Sequence, residues 1–120
     1  MTGARTVTVQ TLDRGPVTLP EPAWCTGHDE RPVEALVDVH HSGHEHVVHY
    51  GGGIELRAEL VAYPYGSRPV PVSLHVEVDT SDVTLDPPGL EAFATILDEQ
   101  AAELRRLALR LAVLRAGGDW

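Results

Sequence analysis

The sequence predicts an α+β domain, in which a small antiparallel sheet of about four to five strands carries one long C-terminal helix and a cysteine- and histidine-rich loop lies at one sheet end. Three observations lead there. Apolar and polar residues alternate in short runs at 6–12, 54–63 and 70–78, and leucines recur at spacings of three and four through the C-terminal segment. Between the first two runs, Cys25–His49 holds the lone cysteine and six of the seven histidines. At 120 residues the chain reads as one domain, 1–120, able to bury a modest core without disulfides.

The N-terminal hairpin is expected over 1–19. Thr6-Val7-Thr8-Val9-Gln10-Thr11-Leu12 alternates β-branched and polar residues, Asp13-Arg14-Gly15-Pro16 supplies a turn, and Val17-Thr18-Leu19 returns. Pro20, Pro22 and Pro32 withhold backbone donors, so 20–46 is expected as an irregular loop. A loop of that length in a compact domain needs a source of order, and metal ligation would supply it. Antiparallel strands follow over 47–79, with Gly51-Gly52-Gly53 as a turn. Ile54, Leu56, Ala58, Leu60 and Ala62 share one face, and Val72, Leu74, Val76 and Val78 share another, the two runs joined by a turn at Pro64–Pro69.

The C-terminal helix is expected over 87–116. Asp86 is a capping carboxylate, Pro87 and Pro88 fit a first turn where missing donors cost nothing, and Gly117-Gly118 closes the other end. Its stripe runs Leu90, Phe93, Leu97, Gln100, Leu104, Leu107, Leu111 and Leu114, broadened by alanines. Such a helix, at about 1.5 Å per residue, outruns the strands, so its C-terminal end is expected to project and to mediate self-association or docking of another protein. In an antiparallel pair Glu103 and Arg110 would meet across the seam.

The chemistry-bearing feature is the histidine cluster. Cys25-Thr26-Gly27-His28 and His41-Ser42-Gly43-His44 are two short-span pairs, each with a glycine that lets a tight turn chelate. They give Cys25, His28, His41 and His44 as the economical metal-ligating quartet, with His40, His46 and His49 as alternatives for the fourth ligand. A thiolate among imidazoles selects zinc over magnesium or calcium. Four protein ligands would make the metal structural, whereas three ligands, an open position and a base such as Glu45 or Asp38 would make it catalytic. His44-Glu45 lacks the histidine that a zincin motif requires. The glycine triplet precedes a strand, not a helix, and offers no helix N-terminus to a phosphate.

Nine basic and eighteen acidic residues give a formal charge of −9, a field that repels nucleic-acid backbones and anionic lipid. Neither nucleic acid nor membrane is therefore expected as a partner. The first residues lack the apolar core of a signal peptide, and a cytoplasmic setting, where a lone cysteine stays reduced or binds metal, is expected.

Pro22-Ala23-Trp24-Cys25-Thr26-Gly27-His28, a later histidine beyond Asp38, the strand pair and Leu85-Asp86-Pro87-Pro88-Gly89-Leu90 leading into a Leu/Ala/Arg helix resemble a family of small uncharacterised actinobacterial proteins with a domain of unknown function. The resemblance spans most of the chain from Pro20 onward and carries no activity. It implies Cys25 and His28 as a matched pair, joined by His41. The function expected is a non-enzymatic, zinc-stabilised protein-interaction module; the alternative is a small metal-dependent hydrolase or isomerase.

Overall fold

A computed structural model describes residues 5–68, 70–79 and 82–120. The fold is α+β, with two small antiparallel sheets and one long C-terminal helix. Residues 1–4 of the expected hairpin and Pro69 of the expected turn lie outside the described residues. The described residues fall into two compact units, one built from the chain up to Glu45 with Glu59–His75, the other from His46–Ala58 with Val76–Trp120.

In the first unit, β1 (Arg5–Thr11) and β2 (Gly15–Glu21) form a two-stranded sheet in register Arg5↔Glu21 through Thr11↔Gly15. Gly15 takes φ 63°, a left-handed conformation that suits glycine at the turn. β2 runs two residues further than the prolines suggest. Pro16 and Pro20 are exposed in a sheet where each strand keeps one free edge that needs no amide donor. Along β2, Leu19 and Glu21 are both buried, two residues apart and hence on one face. The loop that follows has one 3-10 turn, Leu36–Asp38, and returns through β3 (His41–Ser42), paired as His41↔Ala62 and Ser42↔Val61 with β5 (Glu55–Tyr63).

In the second unit, β4 (His46–His49) pairs with β5 from His46↔Ala58 to His49↔Glu55. The turn between them uses Gly51, Gly52 and Gly53 at φ 83°, 60° and 79°, where a side chain would be strained. Ile54, Leu56 and Ala58 are buried as their alternation requires. β6 (Val70–Asp79) also pairs with β5, but Val76 and Val78 are exposed, so its apolar face is covered less than the pattern suggests.

α1 (Pro87–Arg115) begins where Asp86 accepts a hydrogen bond from the Gly89 amide at 2.9 Å. It ends in a Schellman arrangement: the Gly118 amide donates to the Val113 carbonyl and Gly117, at φ 97°, donates to Leu114. Gln100 and Leu107 are its buried residues, flanked by half-buried Phe93, Ile96, Glu103 and Leu114. This line departs from the expected stripe. Leu90, Leu97 and Leu104 are 56%, 42% and 38% exposed, and Glu103 takes an inward position because His46 Nε2 meets its carboxylate at 2.8 Å and Arg106 Nε at 3.0 Å.

The Arg106 side chain beside Glu103, outweighing burial and aided by His46, holds that carboxyl down to about 2 against an ordinary 4.5. A carboxyl depressed in the folded state stabilises the fold above its unfolded value and loses that contribution as pH falls. Acid unfolding should therefore steepen between pH 4.5 and about 2. Glu103→Gln should flatten that limb of the acid titration followed by circular dichroism; superimposable acid profiles would contradict the assignment.

Candidate metal centre

Glu21 ends β2 on its buried face and starts the site. The chain then turns, with the Cys25 amide donating to the Pro22 carbonyl at 3.1 Å, and Arg5 fastens the turn through the Pro22 and Cys25 carbonyls. Gly27, at φ 107°, swings His28 back towards the strand. The Thr26 amide donates to Ser42 at 2.9 Å, which lays this turn beside β3 and brings His41 in from the other side.

Three separate segments thus converge. Glu21, Cys25, His28 and His41 each offer one donor atom, and all four atoms lie within 4.8 Å of one another. His28 Nε2 is 3.0 Å and His41 Nδ1 3.1 Å from Glu21 Oε1, while Cys25 Sγ is 3.7 Å from His28 Nε2. Ligands at about 2.0–2.3 Å from a tetrahedral zinc stand roughly 3.3–3.8 Å apart, so separations of up to 4.8 Å would have to close by as much as about 1 Å around an ion. The donor set of one thiol, two imidazoles and one carboxylate is compatible with a metal site.

Electrostatics set the protonation of the group. Burial would raise the Glu21 carboxyl, but hydrogen bonds from Cys25 and His28, the charge on His28 and the bond from His41 together hold it below the usual carboxylate range. Burial, followed by the hydrogen bond to Glu21, pushes the Cys25 thiol up. Burial pushes His41 down against the pull of Glu21. The carboxylate is thus a fixed charge satisfied by hydrogens, and an arriving metal would displace those hydrogens from sulfur and nitrogen.

The surroundings orient the imidazoles. Trp24 meets His41 edge-on at 6.1 Å between ring centroids, and the His28 and His41 rings lie 5.4 Å apart at 72°. Arg31 approaches His28 Nδ1 at 3.4 Å and also donates to the His40 carbonyl. With Nε2 given to a metal, Nδ1 carries the ring proton, and Arg31, which has only donors, is left to the His40 carbonyl.

Of the residues named from sequence, the fold brings together Cys25, His28 and His41. His44 is exposed and outside the group. The reason is strand alternation: His41 and Gly43 are buried while Ser42 is half-buried and His44 exposed, so a residue three positions beyond His41 falls on the opposite face. The extra residue among Gly43, His44 and Glu45, opposite only Glu59 and Leu60, comes before β4 resumes pairing at His46. Gly43 stays inside because it must; a Cβ there would sit 3.2 Å from Leu60 Cβ. The alternative ligands are engaged elsewhere. His40 stacks on Tyr63 at 5.1 Å, His46 holds Glu103, and exposed His49 lies 3.3 Å from Glu55.

Glu21 is the residue that sequence reasoning missed. Its signal was present: Val17, Leu19 and Glu21 are in phase, placing a carboxylate at an apolar strand position four residues before the cysteine.

The molecule is thus an α+β domain with a buried carboxylate, thiol and imidazole cluster. The chain belongs to the family described as a domain of unknown function, DUF6907, which matches residues 6–113. No curated protein and no solved structure matches it. Among the described residues, no helix is long and apolar enough to cross a membrane.

Proposed function

We propose that this protein is a non-enzymatic interaction module of a reducing cytoplasm, whose loop is held by one zinc ion on Glu21, Cys25, His28 and His41. The observation that supports the reading is the convergence of the group: four protein donors from three chain segments lie within 4.8 Å of one another, as many as a tetrahedral ion takes, and together would leave it no position for a substrate. The loop has little other reason to be ordered, since between Pro22 and His40 its buried apolar residues are Cys25 and Val39. The metal would act as a clamp that shapes the surface around it.

One observation favours a second reading, a small metal-dependent hydrolase or isomerase. Glu21 accepts from both imidazoles, so it would also be placed as a base beside a metal held by Cys25, His28 and His41, and a cavity of about 240 Å³ borders His28. Cobalt separates the two. With four protein ligands, the cobalt-loaded protein should show tetrahedral visible bands and a thiolate charge-transfer band that do not change across neutral pH, and Glu21→Gln should bind the ion more weakly. A spectrum that titrates near about pH 7, as a metal-bound water does, with full metal retention in Glu21→Gln, would overturn the module in favour of the enzyme.

A further inference from the structure

α1 carries two apolar lines, and its own unit covers one of them. The buried and half-buried line passes through Phe93, Ile96, Gln100, Glu103 and Leu107. About a quarter-turn away, at 3.6 residues per turn, Leu90, Leu97, Leu104 and Leu111 alternate with Ala94, Ala101 and Ala108 in unbroken heptads. Leu90, Ala94, Leu97, Leu104 and Ala108 on this second line are exposed, and Ala101 and Leu111 are half-buried. In heptad terms the leucines are d and the alanines a. The flank turned away from the covered line carries Glu91 and Asp98 in its first half and Arg105 in its second, all exposed.

We propose that this seam pairs antiparallel with the same seam of a second copy of the chain, which deepens the interaction-module reading by naming its partner. Two arguments fix the orientation. In a parallel pair, layers of like residues would alternate alanine against alanine with leucine against leucine, leaving voids at one and crowding at the next. In an antiparallel pair every layer joins an alanine to a leucine: Ala94 to Leu111, Ala101 to Leu104 and Ala108 to Leu97 of the second copy. The same register sets Asp98 opposite Arg105 of the other copy, twice by symmetry. In a parallel pair the residues facing that flank would come from the line of Phe93, Gln100 and Leu107, which is turned into its own unit.

The contact expected from sequence alone, Glu103 across from Arg110, is not the one these faces offer. Glu103 is engaged by His46 and Arg106, and Arg110 lies 4.1 Å over the Trp120 ring.

The test is sedimentation velocity of the full, zinc-loaded chain over a concentration series, with circular dichroism to verify the helix. The variants are Leu97→Glu, Asp98→Arg, Arg105→Asp and the double exchange Asp98→Arg with Arg105→Asp. The wild type should dimerise and Leu97→Glu, substituted at an exposed position, should be monomeric at the same concentrations. Each single reversal removes two ion pairs and creates two repulsions, which should weaken the dimer roughly tenfold, and the double exchange should restore it to within about threefold. A wild type that is monomeric at every concentration would overturn the proposal and leave the seam to a different protein. A dimer that survives Leu97→Glu, or single and double exchanges that behave alike, would overturn the seam or its orientation. Zinc content measured on the same samples keeps the outcomes apart, since a monomer that still holds one zinc fails this proposal and leaves the metal reading standing.

Discussion

Cys25→Ser and His41→Ala are each expected to bind zinc at least about 100-fold more weakly than the wild type, while His44→Ala binds as the wild type does. The magnitude follows from sharing. Structural zinc sites bind with about 10–16 kcal/mol, so one ligand of four accounts for roughly 3 kcal/mol, or more than two decades of affinity. The contrast follows from geometry, because Cys25 and His41 belong to the converging group and His44 is turned out to solvent. Competition against a chromophoric chelator reads all three variants. Loss of zinc in His44→Ala, with retention in Cys25→Ser, would place the ion elsewhere in the histidine cluster.

Removing the metal should loosen the loop and spare the rest. Amide exchange between Trp24 and His44 is expected to accelerate by orders of magnitude on chelation, most clearly at Thr26 and Arg31, whose amides donate to the Ser42 and His28 carbonyls within the loop. Leu56, Ala58 and Leu107 are buried apolar residues that owe nothing to the site, so exchange along β5 before Glu59 and in the middle of α1 should be unchanged. Hydrogen exchange read by mass spectrometry distinguishes the patterns. Cooperative unfolding of the whole chain on chelation would show that the ion carries the fold and not the loop alone.

What could be read from the sequence is what local physics dictates. The face Ile54, Leu56, Ala58, Leu60 is buried because strand alternation leaves it no other choice, and the ends of α1 fall where Asp86 and Gly117 have capping chemistry to offer. Cys25, His28 and His41 were legible because few structural roles concentrate a thiol and imidazoles in so short a span. What was not legible depends on partners distant in sequence. Glu21 was hidden by the prolines on either side, whose exclusion from strands holds only where a neighbouring strand needs their amide. His44 falls outside the group because the segment expected as a chelating turn runs as strand from His41, and in a strand a spacing of three places two side chains on opposite faces. The two apolar lines of α1 could not be separated, since leucines destined for the core and leucines left outside obey the same period.

Glu21 in place of a third imidazole would also change the charge of the proposed centre. A site of one cysteine and three histidines would hold a divalent cation with a single negative ligand and so bury a net charge of about +1, which is costly away from water. With Glu21 in the fourth place of the proposed site, one thiolate and one carboxylate would balance a divalent cation, and a centre completed by two metal-bound imidazoles would carry no net charge. Electroneutrality would then be the criterion of selection for the proposed site: a monovalent ion would leave the same four residues anionic and a trivalent one would leave them cationic, so valence would count before size.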